Sequence, residues 1–469
     1  MKKQHLSKES GAKKPVRIVW IIPVFSALAA ILALVVAFGR LELLVPHSPK
    51  EGAVPMFWSK AIEIAQGEAF VGPWLMNDSD WRYVDDPTVA IDQDGFVGVA
   101  WVDQSRKDIF FQLYDPDGKA QLDKPVNVSK SPNIFSWLPK MAIVSGNPRH
   151  IYVLWQEIIF SGGTHGGEIF FARSIDGGRT FQEPINLSNT PAGDGKGRLT
   201  PRLWHNGSLD LIVAPDGTIY AAWTEYEGSL WFSRSTNGGE SFSTPLRVAG
   251  SHLEPARGPS LAADKEGRVY LTWTVGEDPE ADIRLAISDK KGQSFSKPRI
   301  LFKSRGHSDA PKIAVDKKGW VHIVYAESPD GPFQRYHIRY SRSKDGGRTF
   351  EAPRDISSPN PKGFQSASFP SLSVDAKGNV YVLWELFPDL TGYSRGLGFT
   401  YSNDNGQTFL PPFVLPGTSD PDLGFNGSLQ GLLMRKLAVN DQGMIAVVHS
   451  TFKRNEASRI FLFLKKPAK

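Results

Sequence analysis

From about residue 80 onward the chain is a succession of short apolar runs, each entered through a polar turn. One unit recurs seven times: DQDGFVGVAW (92–101), SGNPRHIYVLW (145–155), PDGTIYAAW (215–223), DKEGRVYLTW (264–273), DKKGWVHIVY (316–325), DAKGNVYVLW (375–384) and NDQGMIAVVH (440–449). Its Asp or Asn and Gly suit a tight hairpin turn in which Gly supplies a positive φ, and the apolar alternation behind it reads as a strand. Most copies have Pro or a small apolar run about eight residues before the Gly, as in Pro259-Ser260-Leu261-Ala262 and Pro370-Ser371-Leu372-Ser373. That run reads as the preceding strand of the same hairpin.

A second motif, S-x-D-x-G-x-[TS]-F, alternates with the first. It occurs at Ser174–Phe181, Ser343–Phe350 and Ser402–Phe409, with Asp176, Asp345 and Asp404 at the acidic position. At Ser235–Phe242 that position holds Asn237, and at Ser288–Phe295 it holds Lys290. The short carboxylate or amide accepts backbone hydrogen bonds inside a hairpin turn, glycine permits the turn, and the aromatic tucks beneath it. These residues read as turn staples, not as catalytic acids. Five copies in register are a strong signal.

Together the motifs give units of four strands at a period of roughly 50–68 residues, natural for propeller blades. Seven units are present, but the last ends at Arg459–Leu464 with no outer strand. The segment Phe57-Trp58-Ser59-Lys60-Ala61-Ile62-Glu63-Ile64 parallels Phe295-Ser296-Lys297-Pro298-Arg299-Ile300, an outer strand following an S-x-D-x-G-type turn. Residues 57–65 are therefore expected to complete the last blade and remove a free edge. The fold expected over 57–469 is an all-β, seven-bladed propeller of four-stranded blades, with a six-bladed ring as the alternative.

The N-terminus breaks this pattern. Ile18 to Gly39 is an uncharged run, IVWIIPVFSALAAILALVVAFG, long enough at about 1.5 Å per residue to span a hydrocarbon core of about 30 Å. A cleaved signal peptide would have an apolar region of only about 7–15 residues. Here the run continues well past its one small-residue stretch, Ser26–Ala30. Residues 1–17 then form a basic cytoplasmic tail, 18–39 a transmembrane signal anchor and 40–56 a linker. The expected location is the cell membrane, single-pass, with the propeller outside the cytoplasm.

Charge sharpens this division. The whole chain carries a formal +5, and the tail alone accounts for it, with Lys2, Lys3, Lys8, Lys13, Lys14 and Arg17 against Glu9. The propeller is near neutral, which gives no support for nucleic-acid binding. With no cysteine in the chain, disulfides and thiol chemistry are excluded. No HExxH, P-loop, GxSxG or dinucleotide fingerprint stands out, so neither a metal nor a cofactor is expected.

Through these S-x-D-x-G-x-[TS]-F turns, which are Asp boxes, the chain resembles the bacterial-neuraminidase-repeat, or sialidase-like, propeller superfamily over roughly residues 57–465. Asp boxes also occur in glucan hydrolases, sorting receptors and assembly factors, so the resemblance specifies fold more than function. Sialidases bind the substrate carboxylate with three arginines, the first in an [FY]-R-I-P motif, and use a Tyr nucleophile paired with Glu. This chain has no such motif; Arg82-Tyr83-Val84-Asp85-Asp86-Pro87 is the nearest approach, with different spacing.

A site is expected on the face opposite the turns, where the connecting loops are long and varied. Two residues after the strand-end aromatic stand Asp103, Glu157, Glu225 and Glu327, and Glu385 follows Trp384 directly. Clustered acids there would bind a cation or do acid/base work, the alternative being solvated positions paired with arginine. Arg82, Arg202, Arg257 and Arg435 sit in strand-entry loops and suit a carboxylate or sulfate. Loop aromatics, Tyr393 among them, suit stacking on sugars. The site candidates are Glu225, Glu157 and Tyr393 for catalysis, and Arg82, Arg202, Arg257, Arg435, Asp103 and Glu327 for ligand binding. Two readings stand: a propeller that binds, and in a sharper form hydrolyses, a glycan or cell-envelope carbohydrate, or a non-enzymatic scaffold for a protein partner.

Overall fold

The computed structural model describes residues 58–467, except 70–79, 132–133, 159–166, 190–196, 199–203, 206–207, 226–227, 252, 276–279, 305, 333, 391, 420–423, 428–433 and 454–455. The sequence-assigned tail, anchor and linker lie outside the described residues, as does Arg202. Among the described residues no helix is long and apolar enough to cross a membrane.

Among the described residues every regular element is a strand, and the strands pair into seven antiparallel blades and one two-stranded ribbon, Gly197–Arg198 with Trp204–His205. The inner strands of blades 1 to 7 are Val84–Ile91, Phe135–Val144, Leu209–Val213, Ala256–Ala263, His307–Val315, Ser366–Val374 and Leu437–Val439. Blades 1 to 6 each complete four strands in chain order. Blade 7 closes with a strand from the other end of the propeller: Ile62–Gln66 pairs with Arg459–Lys465, Ile62 opposite Leu462 and Gln66 opposite Arg459. Both ends of the ring are thereby held by a ladder, and a six-bladed ring is ruled out.

The second strand of each blade supplies the core. Its terminal aromatic is Trp101, Trp155, Trp223, Trp273, Tyr325 or Trp384, all buried, and in blade 7 the slot is filled by His449, fully buried. Burial, with Lys436 nearby, pushes the His449 imidazole down to about 3, so it remains neutral.

The S-x-D-x-G turns lock neighbouring blades together. In Ser174–Phe181, Asp176 accepts from Ser174 Oγ at 2.7 Å, Thr180 N at 3.0 Å and Thr180 Oγ1 at 2.6 Å. Ser174 Oγ in turn accepts from Gly178 N at 2.8 Å. The turns at Asp345 and Asp404 repeat the pattern, and Asn237 makes its amide version. At Lys290 the serine bond to Gly292 N survives at 2.9 Å, so the turn persists without its acid. The closing aromatic lies edge-on to a ring of the preceding blade: Phe181 on Phe111, Phe242 on Phe171, Phe295 on Phe232. Gly239 sits with φ +83° where a Cβ would come within 2.8 Å of the Phe171 ring, so only glycine fits.

The inner strands share a device that positions everything on the axis. In five blades the pairing slips at an X-Pro step: between Asp85 and Thr88, Trp137 and Lys140, Arg257 and Ser260, Asp309 and Lys312, and Ser368 and Ser371. Proline cannot donate to a ladder and is accommodated at a bulge. The residue before it takes a left-handed φ, 50° at Asp86, 57° at Leu138, 59° at Gly258, 54° at Ala310 and 55° at Phe369. That conformation is disfavoured before proline and is held here by the surrounding packing. Leu138, Ala310 and Met434, from blades 2, 5 and 7, join one buried cluster, with Phe369 of blade 6 packed against it. Residues from those blades can meet only near the axis, so this cluster plugs the channel.

Candidate functional site

Above the plug, on the loop face, blades 4, 5 and 6 enclose a pocket of about 280 Å³. Its polar groups include Arg257, His307, Asp309, Tyr336 and Asp389, and its apolar surface includes Phe369 and Phe387. The bulges build it. The X-Pro step places Arg257 in blade 4 and Asp309 in blade 5 at the same register position, two residues before the proline. The pocket therefore takes equivalent positions from adjacent inner strands and gives them opposite charge.

The electrostatics converge on Asp309, which is buried. Arg257 Nη2 lies 3.8 Å and His307 Nε2 4.0 Å from Asp309 Oδ2. Ala310 N donates to its other oxygen at 2.8 Å. Burial alone would raise the Asp309 carboxyl, but Arg257, His307 and that backbone N–H outweigh it and hold the group below the usual carboxylate range. Asp309 is thus an ionised anchor for two donors that line the cavity. His307 in turn meets Tyr336 edge to face, with ring centroids 6.1 Å apart. A fork-shaped cation, an imidazole and a phenol beside a wall of Phe369 and Phe387 can hold an anionic sugar: guanidinium on carboxylate, rings on the apolar sugar face.

The other sequence candidates are dispersed. Arg82 is exposed, with Glu68 3.6 Å away. Asp103 caps its own turn, accepting from Ser105 N at 3.0 Å and Ser105 Oγ at 2.6 Å. Glu157 is buried and accepts from Ser131 Oγ and from Trp155 Nε1; burial pushes its carboxyl up despite those bonds. Glu327 accepts from Arg339 Nε at 2.6 Å within blade 5. Glu225 forms a turn with Ser229 in blade 3, and Tyr393 stands exposed on a blade 6 loop beside the pocket residue Gly392. Arg435 lies below the plug in the channel, where Nη2 donates to Asp210 Oδ1 at 2.6 Å and to Leu211 O at 3.0 Å. Glu385 also turns inward, to an ion pair with Lys436. Of the described candidates, Arg257 alone lines the loop-face pocket.

Sequence reasoning assigned no role to Asp309, His307 or Tyr336. The available signal was the X-Pro step, which aligns Asp85, Trp137, Arg257, Asp309 and Ser368 across the blades. Among the described residues no group of three or more His, Asp or Glu side chains is arranged to hold a metal ion.

No family model matches the chain, and no curated protein matches it in sequence. Solved structures do match in shape. Polysaccharide lyase Uly1 superposes with a TM-score of 0.54 at 9% identity, covering 87% of this chain and 99% of the lyase. A PL25 ulvan lyase, solved bound to -[GlcA(1-4)Rha3S]-, gives 0.52 at 12% identity, covering 86% and 95%. What these lyases share with this chain is the β-propeller fold. A microbial sialidase, Hz136, is also among the matches, with a TM-score of 0.42 at 14% identity over 79% of this chain and 73% of its own. At these identities the likeness is one of fold.

Proposed function

We propose that this chain is a carbohydrate-active propeller that binds an acidic glycan in the pocket between blades 4, 5 and 6, held outside the cytoplasm by the 18–39 anchor. The observation that carries this reading is the Arg257–Asp309–His307 arrangement opening into a cavity walled by Phe369, Phe387 and Tyr336. Arg257 takes the sugar carboxylate, the aromatic wall takes the ring, and Asp309 orients both donors. His307, with Tyr336 beside it, is the group placed to move a proton if the bound glycan is also cleaved. The GlcA-containing ligand of the PL25 lyase, a propeller of the same fold, supports an acidic substrate class.

The test is binding and turnover of uronate- and sialate-containing oligosaccharides by the full-length chain, against neutral oligosaccharides of equal length. Preferential binding of the acidic set, lost in Arg257→Met, supports the reading. Equal binding of neutral and acidic sugars overturns it. The anchor is tested separately by fractionation: a soluble mature chain beginning near residue 31 would contradict it.

The second reading, a protein-interaction scaffold, is favoured by Leu253, 79% exposed, and by Leu390 and Tyr393, all exposed on loops of blades 4 and 6. A chain that ignores every glycan but loses a captured envelope protein on Leu253→Ser would favour it.

A further inference from the structure

Blade 5 breaks the repeat at one more place, on the side it turns to blade 4. Opposite the last side chain of the second strand, the third strand carries an aromatic in four blades: Phe110 pairs with Trp101, Phe170 with Trp155, Trp231 with Trp223 and Phe461 with His449. In blade 5 the second strand, Val321–Ser328, has Tyr325 there, and its partner on His337–Ser343 is Arg339. The adjacent Ala326 and Ile338 join a cluster with Val380 and Trp384 of blade 6. Alternation therefore sends Tyr325, Glu327 and Arg339 to the blade 4 side. Between them and the outer strand of blade 4, Arg299–Phe302, lies a cleft of about 600 Å³.

The cleft is lined by Phe302, Lys303, Tyr325, Glu327, Pro329 and Arg339, among others. Phe302 lies flat on Tyr325, with centroids 5.5 Å apart and planes at 14°. Arg339 Nε donates to Glu327 Oε2 at 2.6 Å, which fixes the guanidinium. Among the described residues its two Nη groups bond nothing. Tyr325 is 1% exposed, yet its hydroxyl has no hydrogen-bond partner among the described residues. Burial, with Glu327 close by, pushes that phenol up, so it stays a neutral donor. Lys303 is exposed and pairs with no carboxylate among the described residues. A buried donor left without a partner costs the fold stability, and a ligand oxygen would supply one. A fixed guanidinium fork, an ammonium and a neutral phenol suit a carboxylate or sulfate, Glu327 accepts from ring hydroxyls, and Phe302 and Pro329 offer apolar surface to a sugar ring.

We propose that the cleft between blades 4 and 5 is a second binding site for an anionic sugar, whose carboxylate or sulfate is taken by Arg339, Lys303 and the Tyr325 hydroxyl. The loop-face pocket takes Pro332 and Gln334 from the connection that gives Pro329 to the cleft, so the two cavities flank that connection. The cleft stands on its own residues. Only its consequence, a propeller bivalent toward an acidic polysaccharide and so of higher avidity, rests on the pocket reading.

The test is calorimetric titration of the full-length chain with a glucuronate-containing disaccharide, with a neutral disaccharide and inorganic sulfate as controls. Two sites are expected in wild type, one in Arg257→Met and one in Arg339→Met. Lys303→Glu changes an exposed side chain and serves if Arg339→Met folds poorly; it should weaken the cleft site by about tenfold. Unchanged binding in both cleft variants, or a cleft site that takes the neutral disaccharide or sulfate as tightly, would overturn the proposal. Loss of binding in Arg339→Met but not in Arg257→Met would support the cleft and strike the pocket reading, and the reverse would strike the cleft alone. No saturable binding by a folded wild-type chain would overturn both.

Discussion

The two faces of this propeller use the same residue types for opposite ends. On the turn face Asp176, Asp345 and Asp404 spend their oxygens on the backbone and hydroxyls of their own hairpins. On the loop face Asp309 accepts one local backbone bond and turns its other oxygen toward Arg257 and His307, which line a cavity. A carboxylate saturated by its own turn has no capacity left for a ligand. One that holds two donors at the edge of a pocket presents those donors to whatever enters. The repeated motif thus marks the scaffold, and chemistry is sought where the repeat is broken.

The comparison can be broken from either side. The largest expected effect lies on the turn face. Gly239→Ala forces a Cβ onto the Phe171 ring at positive φ and should cost about 2–4 kcal/mol in chemical denaturation, with glycan affinity of the remaining folded fraction unchanged. Next comes Arg257→Lys on the loop face. It keeps the charge near Asp309 but loses the fork, and should weaken acidic-glycan binding at least tenfold, about 1.4 kcal/mol, with little change in Tm. Asp176→Ala removes the acceptor of one turn and should cost about 1 kcal/mol of stability, measured by urea midpoint, without altering ligand affinity. A loss of binding in Asp176→Ala would erase the distinction between the faces.

The smallest effect is one of pH. Lys312 is pushed down to about 8, by burial first, with Arg435 adding repulsion against the partial offset of Asp210 and Asp309. In the unfolded chain this lysine binds its proton up to about pH 10.4, so between those values the unfolded state holds more protons. Stability contributed at this position therefore rises as pH increases from about 8 toward 10. In thermal melts across that range, the stability of wild type should rise with pH relative to that of Lys312→Met, which lacks the titrating group. Identical slopes would contradict the placement of Lys312.

Much of the ring was readable from the chain because its signals are local. The turn glycines, the alternating second strands and the terminal Trp each depend on a few neighbouring residues. Even the closure strand was legible, because Phe57–Ile64 repeats the pattern of an outer strand whose blade is otherwise incomplete. The pocket was not. Glu157 and Glu327 stand in register with Asp103, yet each is engaged within its own region of the ring. Which side chains face the axis was decided by bulges at Leu138, Ala310 and Phe369, whose left-handed backbone reverses the simple alternation. Tyr336 stands just before the third strand of blade 5, and the pairing of that blade's first three strands brings it to His307. Such juxtapositions belong to the assembled blades and have no short-range signature.

We propose that the loop face, through Arg257, recognises an anionic sugar. It is tested most directly by calorimetric titration of a uronate-containing oligosaccharide into wild-type, Arg257→Lys and Asp176→Ala chains under one buffer. The expected result is saturable binding in wild type and Asp176→Ala, with at least a tenfold loss in Arg257→Lys. Equal affinity in all three, or no binding by a folded wild-type chain, would contradict it.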